Sequence, residues 1–137
     1  MGLLEKIESV LLGLAPAGVP HRQMRVEAKA ASYSVLVRDS GTLFTTRGAS
    51  GSIVFTLPAL ADSLNCHYWF FALEDQNMAV VSAEGNNMIA SGDIAASTVA
   101  YQTSNEIVGG VFYVVNSGTQ WLVFPHLADN GQAITIT

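Results

Sequence analysis

From Tyr33 to Thr137 the chain is broken every few residues by clusters of glycine, asparagine, aspartate and serine, and the pieces between are short β-branched and aromatic runs. Such punctuation leaves room for short strands and little else. The runs are Tyr33 to Arg38, Leu43 to Thr46, Ser52 to Leu57, His67 to Leu73, Met78 to Ser82, Asn87 to Ala90, Thr98 to Gln102, Glu106 to Val108, Val111 to Asn116, Gln120 to Phe124 and Ala133 to Thr137. Turns are expected at Asp39-Ser40-Gly41, Gly48 to Gly51, Glu84-Gly85-Asn86, Ser91-Gly92-Asp93, Gly109-Gly110, Asn116-Ser117-Gly118 and Asp129-Asn130-Gly131. Strands spaced this way predict an all-β fold, an antiparallel β-sandwich or a barrel-like jelly roll, and not a parallel sheet with crossover helices.

Alternation along these runs says which faces are wet. In Ser52 to Leu57 the residues Ile53, Phe55 and Leu57 share one face, with Ser52 and Thr56 on the other. In Tyr68 to Leu73, Val111 to Val115 and Trp121 to Phe124 both faces are apolar, which predicts strands covered on both sides. The core supplies one cover; a subunit interface is the economical second one.

Ahead of the body the pattern changes. Leu3, Leu4, Ile7, Val10, Leu11 and Leu14 recur at helical spacing, with Glu5, Lys6, Glu8 and Ser9 on the other side, so residues 2–14 predict a short amphipathic helix ended by Gly13 and Pro16. A helix so short is marginal alone in water and must dock on its own β body, a neighbouring subunit or a larger particle. Pro16, Gly18 and Pro20 then favour an extended arm, whose second half, Met24 to Ala30, reads equally as a strand or a helical turn. The expected organisation is therefore a helix and arm over residues 1–32 and a β-sandwich body over residues 33–137.

Charge is divided along the same boundary. All six basic residues (Lys6, Arg22, Arg25, Lys29, Arg38, Arg47) precede Gly48, and with four acids they leave that stretch at +2; the remainder has no lysine or arginine and carries -7 of the net -5. A body without cations cannot line a phosphate-tracking groove, so nucleic acid is excluded as the main partner. For the weakly basic arm two readings stay open, an ordinary solvated mix and electrostatic docking on an acidic protein surface. Half the residues are hydrophobic and only 12% charged, which implies apolar surface beyond what one copy hides. No stretch has the apolar length of a membrane span, and Glu5 and Glu8 stand where a signal peptide would be basic, so neither a membrane location nor secretion is expected.

Catalytic chemistry finds little to use. Cys66 is the single cysteine, and its neighbour His67 would point to the opposite face of a strand, so a buried structural thiol is expected. His21, His67 and His126 are too dispersed for metal-ligand spacing, and the acids are scattered one per loop apart from Glu74-Asp75, which reads as a solvated turn. Gly48-Ala49-Ser50-Gly51 lacks the Lys-Ser/Thr and helix of a phosphate loop. No enzyme activity, cofactor or metal is expected. Tyr101 and Trp121 read as exposed aromatics that could contact a receptor or glycan.

The segment from Tyr33 through Asp39-Ser40-Gly41 to Phe44, then Gly48-Ala49-Ser50-Gly51 through Phe55 to Leu57-Pro58, resembles a β module of tailed-phage virion proteins, where it reads D-S-G-x-x-F-x-N-x-G-A-x-G-x-V-x-F-x-L-P. A looser likeness runs on through Tyr68 to Phe71, Asn77 to Ser82, Gly85 to Ile89 and Val111 to Trp121, so it spans roughly residues 33–124; Thr45-Thr46 stand where asparagine is usual. The resemblance implies a capsid decoration (cement) protein or a tail-fibre or spike domain, commonly trimeric. Physical roles expected of the motif are a hairpin turn at Asp39-Ser40-Gly41, core positions at Phe44 and Phe55, and a strand stop at Pro58. Because a fibre subunit is usually long and repetitive, a single β module with a short helix and arm points to decoration of the outer capsid surface. In that reading the partners are the major capsid protein and the chain itself, as a homotrimer, and the candidate contact residues are Leu3, Leu4, Ile7, Leu11, Leu14, Arg22, Arg25 and Lys29.

Overall fold

The computed structural model describes residues 23–101, 107–127 and 133–137. The helix expected over residues 2–14 and the first part of the arm, residues 15–22, lie outside the described residues. Twelve strands are described: β1 (Arg25–Ala28), β2 (Tyr33–Ser34), β3 (Thr42–Thr45), β4 (Ile53–Leu57), β5 (His67–Phe71), β6 (Met78–Ser82), β7 (Met88–Ala90), β8 (Asp93–Ala96), β9 (Thr98–Tyr101), β10 (Val111–Asn116), β11 (Trp121–His126) and β12 (Ile134–Ile136). They form a seven-stranded sheet in the order β1-β3-β5-β10-β11-β7-β8 and a five-stranded sheet in the order β12-β9-β6-β4-β2. The protein is all-β and sandwich-like. No described helix is long and apolar enough to cross a membrane.

The sheets are mixed, not antiparallel as the strand spacing suggests. From β1 to β6 the chain alternates between sheets, odd strands entering the larger and even strands the smaller. Each strand therefore pairs with the one laid down a full coil earlier and runs parallel to it: β1 with β3, β3 with β5, β2 with β4 and β4 with β6. Parallel neighbours need a crossover, and here the crossover is a strand of the opposite sheet. Asp39-Ser40-Gly41 consequently makes an inter-sheet passage rather than a hairpin. Asp39 is buried, and its carboxylate accepts bonds from the Leu36 N–H (2.9 Å) and the Tyr33 hydroxyl (2.7 Å), which locks the bend.

Antiparallel hairpins come later. β10 and β11 join through the 117–120 turn with Asn116 opposite Trp121. β7 and β8 join through Ser91-Gly92, whose φ values of 43° and 95° suit the primed turns that match strand twist. Here the turn expected at Ser91-Gly92-Asp93 is right, but Asp93 opens a strand that the pattern does not announce. Conversely, no strand forms at 107–108, the described part of the run expected at Glu106 to Val108. The Gly110 N–H bonds back to the Ile107 carbonyl (2.9 Å) and Gly109 sits at φ 94°, so that stretch is spent on a turn.

Inward-facing residues of both sheets make one core. Phe44, Phe55 and Phe70 meet across it, with Phe55 and Phe70 centroids 4.6 Å apart, and all three are fully buried as the sequence expects for Phe44 and Phe55. At the other side Tyr101 of the small sheet stacks on Phe112 of the large one at 4.4 Å. Its hydroxyl lies within hydrogen-bonding reach of the carbonyls of Val111 (2.9 Å) and His126, either of which can accept its single proton, and this ties the sheets together at that margin.

Candidate functional site: the outer face of the larger sheet

Strands β5, β10 and β11, the runs that read as apolar on both faces, lie side by side in the middle of the seven-stranded sheet. Strict alternation sends Tyr68, Phe70, Phe112, Val114, Trp121 and Val123 into the core. Their neighbours must then point the other way. Register places Leu43, Trp69, Tyr113 and Phe124 in one row across four strands, and Val26 of β1 continues the row to the sheet edge. A second row aligns His67, Val115, Leu122 and Ile89, and a third Phe71, Val111 and His126.

Rings in the first row touch. Trp69 and Tyr113 have centroids 4.2 Å apart, and Phe124 follows at 5.8 Å from Tyr113. His67 stands edge-on to Tyr113, its Nδ1 3.1 Å from the Tyr113 hydroxyl. The backbone of His67 is itself fixed, its N–H donating to Ser40 Oγ (3.1 Å) and its carbonyl accepting from the Gly41 N–H (2.8 Å). The passage that carries the Asp39-Ser40-Gly41 motif thus sets the start of β5 and the end of the aromatic row.

β3, β5, β7, β10 and β11 contain no lysine, arginine, aspartate or glutamate. The face therefore offers neither an ion pair nor a charge-based docking code. Most of its side chains are half-buried by one another, while Val26 (60%) and Phe124 (54%) at the ends of the row stay largely exposed. Such a contiguous apolar surface is the kind that a partner covers.

Of the contact residues named from sequence, Leu3, Leu4, Ile7, Leu11, Leu14 and Arg22 lie outside the described residues. Arg25 and Lys29 are placed at the margin of the sheet on either side of Glu27. Arg25 pairs with Glu27, and Lys29 Nζ lies 3.9 Å from Glu27 and 3.7 Å from the Tyr33 ring centroid. Glu27 is opposite Phe44 in register, so this ion cluster closes the first coil's end of the core and discourages further strand pairing there.

Tyr101 and Trp121, read from sequence as exposed aromatics, are both fully buried. Each occupies an inward position of its strand, against Phe112 and Tyr68 respectively. Trp69, Tyr113 and Phe124 are instead partly or largely accessible on the outer face, and the alternation of the runs that contain them is the signal that finds them. Cys66 is buried with Sγ 3.9 Å from the Val37 carbonyl, while His67 faces the outer side, as the sequence reading has it. Glu74 does more than sit in a solvated turn: it accepts from the Gly48 N–H (2.7 Å) and lies 3.8 Å from Arg47, holding the 46–51 loop. No cluster of three metal-ligating side chains occurs among the described residues. Comparison with known proteins gives no match, either to a protein-family model or to a curated protein.

Proposed function

We propose that the chain is a structural protein of a tailed-phage virion, a capsid decoration protein that binds the assembled head as an oligomer and stabilises it. The observation that carries this reading is the outer face of the middle strands of the larger sheet, where β3, β5, β10, β11 and β7 have no lysine, arginine, aspartate or glutamate and the Trp69–Tyr113–Phe124 row lies at the centre. Seven strands about 4.8 Å apart and about 17 Å long give a face of roughly 550 Å², against about 800 Å² per partner in a standard stable interface. Docking through this face therefore needs a further contribution, which Leu3, Leu4, Ile7, Leu11, Leu14 and the basic residues Arg22, Arg25 and Lys29 supply. The partners are the major capsid protein and neighbouring copies in a homotrimer on the outer surface of the head, and the reaction chemistry is none. The likeness of residues 33–124 to the virion β module supports the same reading.

The test is to add purified protein to phage heads that lack it. Saturable binding, with heads that then resist heat or low salt, is expected; heads that neither bind it nor gain stability would remove the proposal. Light scattering tests the trimer separately. A second reading, a tail-fibre or spike receptor-binding module, is favoured by one observation, the accessible rings of Trp69, Tyr113 and Phe124, since flat aromatic surfaces suit sugar stacking. Copy number per virion separates the two: hundreds place the protein on the head, a handful on the tail, and silence on glycan arrays would dismiss the receptor.

A further inference from the structure

A sheet edge is a row of backbone donors and acceptors open to another strand, and folded chains blunt such edges with charge, with side-chain caps or by keeping them short. The described strands present four edges, β1 and β8 of the larger sheet and β2 and β12 of the smaller. β1 carries Arg25 and Glu27. On β8 two backbone groups are already taken by side chains: the Asp93 carboxylate accepts from the Ala95 N–H (2.8 Å), and Gln120 Nε2 donates to the Ile94 carbonyl (2.7 Å). β2 is two residues long. β12, Ile134-Thr135-Ile136, is uncharged, and no described side chain caps it. Thr137 prolongs its ladder, exchanging N–H···O bonds with Thr98 in both directions (3.0 Å each). Bonded and non-bonded pairs alternate along an antiparallel ladder. Ile136–Val99 and Ile134–Tyr101 are therefore non-bonded pairs, and the N–H and C=O groups of both isoleucines point away from β9 into the open edge. Their side chains pack half-buried against the core, which leaves Thr135 pointing outward.

We infer that β12 is a self-pairing edge, which takes β12 of a second copy antiparallel across a two-fold axis at Thr135 and joins the two five-stranded sheets into one. Three observations select this occupant. The segment reads Ile-Thr-Ile in either direction, so the two-fold sets each outward-bonding isoleucine opposite its counterpart and Thr135 opposite Thr135. The other described edges are blunted, which leaves β12 itself as the strand of this chain suited to fill the place, and a strand that pairs with its own copy makes an isologous contact. Across the seam no like charges meet, because β2, β4, β6, β9 and β12 contain no lysine, arginine, aspartate or glutamate. Exposed apolar side chains elsewhere prescribe no occupant: Leu64 (63%) stands in a turn and Ile94 (73%) on the capped edge of β8. One short strand buries far less than the roughly 800 Å² per partner of a standard stable interface. Pairing is therefore weak in dilute solution and is favoured where copies are held close together. A two-fold edge cannot close a ring of three, so the seam links one homotrimer to the next, and it stands whether or not the protein belongs to a phage head.

Cross-linking tests it on the purified full-length protein. Across a non-bonded antiparallel pair the Cα atoms are about 4.5 Å apart, a separation that a disulfide spans. Mild oxidation of the Thr135→Cys variant is therefore expected to give a covalent dimer on a non-reducing gel several-fold faster than Ser34→Cys, whose thiol stands exposed on the opposite edge strand, β2. The unaltered protein, whose single cysteine, Cys66, is buried, should give none. Sedimentation velocity at rising concentration supplies a second readout without cross-linking. The mass of the unaltered protein should move towards twice its dilute value, whereas Thr135→Lys, which sets two ammonium groups against each other on the axis, should abolish the doubling while circular dichroism shows the sheets intact. Equal rates for Thr135→Cys and Ser34→Cys would overturn the inference. So would a doubling that survives Thr135→Lys, or a mass that stays constant at every concentration.

Discussion

Replacing Asn116 with alanine should destabilise the protein by about 3 kcal/mol, because this side chain fastens the β4–β5 crossing to the β10–β11 hairpin. Asn116 is 1% exposed, and its Nδ2 donates to the Leu60 carbonyl (3.0 Å), the Ser63 carbonyl (2.8 Å) and Ser63 Oγ (3.0 Å), while Oδ1 accepts from the Gly118 N–H (2.8 Å). In the Asn116→Ala variant two carbonyls lose a donor in the interior, at about 1–2 kcal/mol each; Gly118 is exposed, and water can replace the bond to its N–H. For a domain of this size each kcal/mol lowers the melting temperature by about 4 °C, so a drop of about 12 °C is expected by circular dichroism. Ser63 is equally buried and its Oγ also donates to Ala59 O (2.7 Å), so Ser63→Ala and Asn116→Ala should be non-additive by about 0.5–1 kcal/mol. A shift under about 3 °C, or strict additivity of the pair, would refute the claim that these bonds hold the middle strands of the outer face in place.

Three further outcomes are expected. Desolvation in the core raises the Tyr101 hydroxyl pKa to about 12 and pushes Tyr68 further up, so both stay protonated in the fold while an unfolded tyrosine ionises near 10. Their stabilisation is complete below pH 10 and is lost as pH climbs from about 10 to 12, by about 2–3 kcal/mol for Tyr101; urea melts across that range should show the loss, and a flat profile would contradict the burial argument. Gly118 sits at φ 101° with Leu64 Cδ1 3.3 Å from where a Cβ would stand, so Gly118→Ala should cost about 1–2 kcal/mol, again read by thermal melting. Trp69→Ser with Tyr113→Ser removes the ring pair from the outer face; head binding should fall at least tenfold, while the monomer loses only about 1–2 kcal/mol.

Legibility in the sequence follows what each signal encodes. Met78–Ser82 and Val111–Asn116 are delimited identically by pattern and by structure, because each is a β-branched or aromatic run bounded by turn residues. Two-sided apolarity in the runs that became β5, β10 and β11 announces the outer face, although nothing local says that these three strands are neighbours. Pairing direction is not legible for the same reason: Phe44 finds Phe70, and Tyr33 finds Phe55, a full coil away, and a strand's own alternation carries no record of that partner. β8 is missed because Asp93-Ile94-Ala95-Ala96 lacks a buried alternation, Ile94 being 73% exposed. Tyr101 and Trp121 show the converse error. An aromatic near a strand end looks accessible in sequence, yet parity in the register sends both inward.

The central claim is that the protein meets its partner through the outer face of the larger sheet, and a charge at the middle of that face tests it most directly. Val115 points outward between His67 and Leu122, so Val115→Lys places an ammonium group there without disturbing the core. Co-sedimentation of the variant with phage heads lacking the protein, alongside a melt showing it still folded, should give binding lost by an order of magnitude or more. A folded Val115→Lys protein that binds heads as well as the unaltered chain would contradict the assignment of the face.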